Sequence, residues 1–267
     1  AVTFGKPGLY TLTVTVTDDD GVQAVAVREI VVFAQNGWSS FTNPILEDWW
    51  STENVEVRND NSGGAWYSLD DFEGQLTLKV NDDSAKPLGD LTPAYPVFWR
   101  GVPATGDCLL QTDLRLASVQ QGTFIAGLIL KVTEGGTEVR YVFGMENGDF
   151  LRVKRVVGAT DTQLATMNWN EGDAVIRMRR IGDDLHFGYR TSPGVWSSLL
   201  VRNLPADSTF GDGGIVAATS AARGVRFEFD YVLVVDRSVT SPALASLRIT
   251  EFLSHPSTGR ARAFIEL

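Results

Sequence analysis

The sequence predicts an all-β protein whose main part is a two-sheet antiparallel jelly-roll sandwich. Short runs of Val, Ile, Leu, Thr, Phe and Tyr recur between clusters of Gly, Asp, Asn and Pro, a pattern typical of strands joined by turns. Long stretches with the helical period of 3.6 residues are missing from the sequence. With 267 residues, the chain is long enough to bury a sizeable core.

Composition and charge narrow the possible functions. The formal charge of −10 at pH 7 disfavours nucleic acid as a partner, because phosphates are repelled where no dense basic patch exists. No segment of the sequence is apolar over the length that a membrane span needs. The single cysteine, Cys108, excludes an internal disulfide. It lies on the same strand face as Leu110, Thr112 and Leu114, which predicts a buried structural thiol rather than a nucleophile.

The first segment, residues 1–35, predicts a β-hairpin. Leu12, Val14 and Val16 alternate with threonines, and Asp20-Gly21 then turns the chain into an apolar return strand. Its motif, PGLYTLTVTVTDDDG, resembles the last hairpin of a polycystic-kidney-disease (PKD) domain, an immunoglobulin-like spacer of secreted and surface proteins. Because the earlier strands of such a domain are missing, we expect the chain to be a piece of a larger modular protein.

The central segment, residues 36–240, predicts the sandwich. About a dozen strand-like runs follow one another there, enough for two packed sheets. The runs lie at 55–58, 75–81, 97–102, 108–116, 124–132, 138–143, 150–156, 162–167, 174–180, 185–190, 195–201, 214–219 and 225–235.

Several ordered motifs of this central segment are typical of one superfamily. They are WYSL at 66–69, GQLTL at 74–78, FWR at 98–100, LQTDLRL at 110–116, AGLIL at 126–130 and FEFDYV at 227–232. With these motifs the segment resembles a concanavalin A-like domain of the laminin-G, lectin and glucanase superfamily, and is most similar to the accessory domains of bacterial β-xylosidases. The resemblance implies a jelly roll, but this fold occurs in lectins, enzymes and ligand-free spacers alike.

The last segment, residues 241–267, contains the motifs LRITEF at 247–252 and FIEL at 264–267. With them it resembles the start of a lamin-tail domain, of which they would form the first two strands. A PKD end, a jelly roll and a lamin-tail start together imply a large exported bacterial protein. We therefore expect the chain to be secreted or displayed on the cell surface.

Two carboxylates on the closing strand raise the question of catalysis. The glucanases with this fold use two carboxylates spaced E-x-D-x-x-E on one strand face, and retaining hydrolysis needs a separation of about 5 to 5.5 Å. Glu228 and Asp230 share a face, but Leu233 stands where a third carboxylate would follow. We therefore favour a noncatalytic module, with a glycoside hydrolase or polysaccharide lyase as the alternative.

Charged residues on alternate positions predict one polar sheet face. If their strands are neighbours, this face is rich in guanidinium groups and suits sugar hydroxyls or carboxylates. The alternative is a solvated face with cross-strand charge pairs. The candidate ligand-binding residues of this face are Asp113, Arg115, Arg140, Arg152, Lys154, Arg177, Arg179 and His186.

Tryptophans near turns are further candidates, because an indole can stack on the apolar face of a sugar ring. Trp49 and Trp50 are adjacent, so in an extended segment they point to opposite sides and one of them is expected at the surface. Packing at a domain joint is the alternative for this pair. Trp196 is the third candidate platform.

A structural calcium ion is also expected, because jelly rolls often use one to tie an early loop to the closing strand and hard oxygen donors are plentiful. The candidate ligands are Glu47, Asp48, Asp60, Asn61 and Asp230. The function predicted from the sequence is a noncatalytic carbohydrate-binding or adhesive accessory module. Its partners would be a polysaccharide or cell-surface glycan and the neighbouring domains of the same polypeptide. A structural spacer without ligand is the second alternative.

Overall fold

The protein is described by a computed structural model that covers residues 8–17, 20–32, 38–39, 41, 45–58, 64–72, 74–80, 85–89, 94–119, 123–192, 195–220 and 224–236. Every regular element in these ranges is a β-strand. The strands are β1 (Gly8–Thr17), β2 (Gln23–Val32), β3 (Trp38–Ser39), β4 (Ser51–Glu53), β5 (Glu56–Val57), β6 (Trp66–Ser68), β7 (Leu76–Val80), β8 (Val97–Gly101), β9 (Cys108–Val119), β10 (Phe124–Glu134), β11 (Thr137–Glu146), β12 (Phe150–Val157), β13 (Thr160–Asn168), β14 (Asp173–Ile181), β15 (Asp184–Ser192), β16 (Val195–Asn203), β17 (Thr209–Thr219) and β18 (Val225–Asp236).

The first two strands form a sheet of their own. β1 and β2 pair antiparallel from Gly8 opposite Val32 to Thr17 opposite Gln23, and Gly21 adopts a φ of 81° in the turn between them. The predicted hairpin is therefore present, while its assignment to a PKD domain stays a prediction. The expected lamin-tail strands in 241–267 lie outside the described residues.

The remaining strands build two sheets within the compact unit that spans Gln35–Ser238. Sheet I has the order β16-β15-β14-β9-β18-β7-β6-β5, and β3 also pairs with β18. Sheet II has the order β13-β12-β11-β10-β17-β8-β4. The pair β5–β6 is parallel, and the other described pairs are antiparallel. The predicted all-β sandwich is confirmed, and each strand-like run in the sequence overlaps a strand.

The main core lies between the two sheets. Period-two alternation turns the apolar residues of each strand inward, so that Phe187 of sheet I packs on Tyr141 and Phe143 of sheet II, with ring centroids 6.0 and 5.8 Å apart. Cys108 is also buried in this core, as its place on the same face as Leu110 and Leu114 predicts.

A second apolar cluster covers part of the outer face of sheet II. Leu88 and Tyr95, from the connection between β7 and β8, are buried against outward residues of that sheet. The connection is joined to the sheet where Lys86 pairs with Thr219. The outward members of the cluster are Val97, Trp99, Ile125, Ile129, Val142, Val156, Val216 and Ala218.

Glycine is required where β10 and β11 approach each other closely. A Cβ on Gly144 would lie 2.0 Å from the carbonyl oxygen of Ala126 on the neighbouring strand. No heavy atom can occupy that position without moving the backbone, so this pairing depends on the missing side chain.

Candidate functional site

The outer face of sheet I carries a polar and aromatic patch. On β9 the residues Leu110, Thr112 and Leu114 are buried, which leaves Gln111 and Asp113 on the outer side. We use the name sheet I patch for Gln111, Asp113, Arg177, Arg190, Trp196 and Tyr231, which lie on the adjacent strands β16, β15, β14, β9 and β18.

Asp113 supplies the carboxyl group of this patch, and its pKa is perturbed. Burial raises its pKa to about 6, and the nearby carboxylate of Asp230 adds to this effect, while Arg190 opposes it. Asp230 is brought there by a β-bulge between Phe229 and Tyr231 on β18, opposite Asp113. A carboxyl group with this pKa changes its charge between pH 5 and 7.

Tyr231 is held in place beside Asp113. It is the residue opposite Asp113 in the β9–β18 register, and its hydroxyl accepts a hydrogen bond of 2.6 Å from Nε2 of Gln111. Its backbone carbonyl accepts a bond of 2.6 Å from Oγ1 of Thr112. Burial raises the pKa of the Tyr231 hydroxyl, so Tyr231 is neutral at physiological pH.

Arg177 and Trp196 meet across a glycine. The guanidinium carbon of Arg177 lies 3.9 Å from the centroid of the Trp196 ring. Gly188 of β15 is paired with Arg177 of β14 and with Ser198 of β16. A Cβ on Gly188 would lie 3.4 Å from Nε of Arg177, so the absent side chain leaves room for Arg177 to lie across β15 and reach Trp196.

Glu228 and Asp230 have different environments. Glu228 is 5% exposed, and its carboxylate lies 3.2 Å from Nη2 of Arg226 and 4.0 Å from Nη1 of Arg115. Asp230 is exposed at the bulge. The two arginines thus compensate the negative charge of Glu228. Asp230 is the carboxylate that lies near Asp113.

The other three charged candidates on sheet I lie beyond the patch. Arg179 and His186 are opposite each other in the β14–β15 register, and both are half-buried. Arg115, which is exposed, lies on the other side of the patch opposite Glu228.

The expectation that one sheet presents all eight charged candidates is wrong. Arg140 is on β11, and Arg152 and Lys154 are on β12, so these three belong to sheet II. Arg140 is 9% exposed and donates a hydrogen bond to the hydroxyl of Tyr95. Strand order is decided by contacts far apart in sequence, so alternation within β11 and β12 could not show which sheet they join.

Arg152 and Lys154 are occupied by an ion-pair network around a buried carboxylate. Glu146 is 1% exposed and contacts the guanidinium of Arg152, and its Oε1 lies 3.0 Å from Nζ of Lys154. Lys154 is also 2.9 Å from Oδ2 of Asp161. Their first role is therefore to neutralise Glu146 rather than to present charge to a ligand.

One of the two adjacent tryptophans is buried and the other is exposed, but they lie in a turn rather than in an extended segment, since the backbone N–H of Trp50 donates a hydrogen bond of 3.0 Å to the carbonyl of Glu47. Trp50 is 8% exposed and packs edge-on against Phe98, with ring centroids 6.4 Å apart. It is a core residue and not a binding platform. Trp49 is 37% exposed, and the guanidinium of Arg100 lies 5.3 Å from its ring centroid.

Trp49 lies on the rim of a pocket that the sequence did not indicate. The pocket has a volume of about 470 Å³ and opens on the outer face of sheet II beside the edge strand β4. β4 is short, polar and fully exposed, so it has none of the alternation that reveals a strand. The lining residues are Trp49, Ser51, Thr52, Glu53, Trp99, Arg100, Gly101, Lys131 and Asp212.

The candidate calcium ligands are not brought together within the described residues. Glu47 lies near Arg100, where its charge opposes the lowering of the Arg100 pKa by burial, whereas Asp230 lies near Asp113 on sheet I. Asp48 is exposed, and Asp60 and Asn61 are outside the described residues. In the part of the chain that the structure describes, no three His, Cys, Asp or Glu residues are grouped as a metal site.

Comparison with known proteins relates the sandwich to carbohydrate-active enzymes by fold. No family model matches the chain, and no curated protein matches it. The GH43 protein BlXynB from Bacillus licheniformis is 17% identical with a TM-score of 0.55, over 83% of this chain and 45% of that chain. The xylan β-1,4-xylosidase from Bacillus halodurans is 15% identical with a TM-score of 0.55, over 83% and 46%. The GlcNAcα1-4Gal releasing endo-β-galactosidase from Clostridium perfringens is 15% identical with a TM-score of 0.54, over 77% and 63%.

These similarities show the fold of the chain. The shared fold is consistent with the predicted concanavalin A-like sandwich, and the chain spans less than half the length of the two Bacillus enzymes. Among the described residues, no helix has the length and hydropathy needed to cross a bilayer.

Proposed function

We propose that this chain is a noncatalytic carbohydrate-binding accessory module whose ligand lies on the sheet I patch. The observation that carries the proposal is the strand register, which brings Trp196, Arg177, Asp113 and Tyr231 onto one outer face. Aromatic rings stack on the apolar faces of sugars. Carboxyl, amide and guanidinium groups supply the acceptors and donors that hydroxyl groups need.

The setting of the module is part of the proposal. Because the chain corresponds to a part of much longer carbohydrate-active enzymes, an accessory role beside other domains of one polypeptide suits its length. The ligand would be a polysaccharide or a cell-surface glycan, and the protein would be secreted or displayed by a bacterium. A structural calcium ion stays a prediction. It is tested by comparing the melting temperature with calcium and with a chelator.

Binding is tested with insoluble xylan, galactan and polygalacturonate as probes. We expect Trp196→Ala and Arg177→Ala each to weaken retention roughly 5- to 30-fold, as expected when a ring contact or charged hydrogen bond of about 1 to 2 kcal/mol is lost. Arg58→Ala is the control, because Arg58 is an exposed arginine beside β6, three strands away from β9 in sheet I. Retention on polygalacturonate should fall steeply with salt, and retention on the two neutral polymers should hardly change.

Two outcomes contradict this proposal. If none of the three polymers retains the protein, the module is a spacer without ligand. If the Trp196 and Arg177 variants are retained like the parent and the Arg58 variant, the ligand does not lie on the sheet I patch.

One observation favours a second candidate, a glycoside hydrolase. Such enzymes pair a carboxylic acid of raised pKa with an ionised carboxylate, and Asp113 with a pKa of about 6 lies beside Asp230. Asp113→Asn distinguishes the two functions. A hydrolase would lose turnover of xylan or galactan in this variant, whereas under the noncatalytic proposal the parent shows no turnover that depends on Asp113.

A further inference from the structure

The pocket on the outer face of sheet II, which we call the sheet II pocket, has the features of a binding site of its own. Its volume of about 470 Å³ falls within the range of about 300 to 1,000 Å³ that is typical of small-ligand sites. It is separated from the sheet I patch by the sandwich core, because the two lie on the outer faces of different sheets. Its residues take no part in the proposed patch.

Two indoles line the pocket. Trp99 is fixed, because its Nε1 donates a hydrogen bond of 2.8 Å to Oε2 of Glu53 on the neighbouring strand. Trp49 is 37% exposed at the rim. An exposed indole above a small polar cavity is suited to a flat ring with an apolar face, such as a pyranose.

The polar lining offers both donors and acceptors. Lys131 Nζ lies 3.5 Å from Oδ2 of Asp212 and 4.0 Å from the centroid of the Trp99 ring. Nη1 of Arg100 is buried without a hydrogen-bond partner among the described residues. The cations of the lining are Arg100 and Lys131, and its carboxylates are Asp212 and Glu53. The lining therefore has no net charge. Such a lining matches the hydroxyl groups of a neutral sugar better than it matches an anion.

The shape of the pocket is set by the fold before any ligand binds. Ser51 and Thr52 are small residues on the edge strand, and Gly101 has no side chain to fill the space. Just beyond β4, Asn54 adopts a φ of 55° and its Nδ2 donates a hydrogen bond of 3.3 Å to the carbonyl of Tyr95. This bond ties the end of the edge strand to the segment that covers the rest of the face. A preformed pocket requires little ordering on binding.

We infer that the sheet II pocket binds a unit of a neutral glycan chain, as a second site on the face of the sandwich opposite the sheet I patch. The inference extends the proposed function, since two sites on opposite faces let one module bridge two glycan chains. Binding in the pocket does not depend on the patch. Bridging raises the strength of attachment through multivalency without any new contact.

The test is calorimetric titration of the whole chain with xylohexaose, cellohexaose and a β-1,4-galactan hexaose, with trigalacturonate as the charged comparator. We expect a stoichiometry of two for at least one neutral probe. Trp49→Ala should lower it to one by weakening the pocket at least 10-fold, and Asp212→Asn should weaken the same site roughly 5-fold. Trp196→Ala is the matched control, because it removes a half-buried indole from the other face. Trp49 and Asp212 are exposed enough for both variants to keep the parent melting temperature.

Each result separates the two proposals. A single site that is lost in the Trp196 variant and kept in the Trp49 variant overturns the pocket and leaves the sheet I patch standing. The reverse result supports the pocket and overturns the patch. No binding of any neutral probe overturns the pocket, and no binding of any of the four probes overturns both sites. Tighter pocket binding of trigalacturonate overturns the neutral class of ligand. Bridging itself predicts that the parent increases light scattering by soluble xylan, and that neither single-site variant does.

Discussion

Asp113→Asn is expected to stabilise the protein at neutral pH. The pKa of Asp113 is raised to about 6 from an ordinary value of 3.8, first by burial and then by Asp230. Between about pH 4 and pH 6 the folded protein therefore holds a proton that the unfolded chain has released. The contribution of Asp113 to the free energy of unfolding falls as the pH rises through this window, and it stays low above pH 6. An asparagine has the same shape and no charge to bury.

The size of the effect follows from the two pKa values. A difference of about two pH units corresponds to about 3 kcal/mol at pH 7. Asp113 is only half-buried, and solvent screening reduces the contribution of such a group. We therefore expect Asp113→Asn to raise the free energy of unfolding at pH 7 by about 1 to 2 kcal/mol. The difference should vanish at about pH 4, where the folded-state carboxyl is already protonated.

Urea denaturation followed by tryptophan fluorescence at pH 4, 5, 6 and 7 measures this difference directly. Asp207→Asn is the control, because Asp207 is exposed in the turn after Leu204 and its charge is not buried on folding. A variant that is less stable than the parent at pH 7, or whose advantage does not change between pH 4 and pH 7, would refute the reasoning. It would show that the Asp113 carboxylate is stabilised by its surroundings rather than disfavoured by burial.

Three further predictions concern the framework of the sandwich. Gly144→Ala should destabilise the fold by about 4 kcal/mol or more, because the new Cβ would lie 2.0 Å from a carbonyl oxygen. Gly172→Ala is the control, because a Cβ there meets open space. The urea midpoint of the Gly144 variant should be the lower of the two. Arg152→Met should lower stability by about 2 kcal/mol, since the buried Glu146 carboxylate loses a charged partner; equal midpoints for parent and variant would mean that the pair contributes nothing. Cys108 is 4% exposed, so Ellman's reagent should modify it only in denaturant, and rapid modification of the native protein would contradict its burial.

Local pattern was sufficient to predict the sides of many strands. On β9, the alternation of Leu110, Thr112 and Leu114 with Gln111, Asp113 and Arg115 identified both the buried face and the outward position of Asp113. A strand has a period of two whatever its neighbours are, so this information is contained in a few consecutive residues. Tertiary context decided what the outward residues meet, such as the bulge on β18 that brings Asp230 to Asp113.

The sequence by itself determined that this chain is an all-β sandwich with a hairpin near its start, and which residues of most strands face the core. Only the tertiary structure decided that β11 and β12 join the sheet opposite β9 and β14, which separates Arg152 from Arg177. It also assembled the sheet II pocket from segments as distant as Glu53, Trp99 and Asp212. The physical reason is that strand order and register are set by long-range pairing and by burial in a shared core, which alternation within a single strand does not encode.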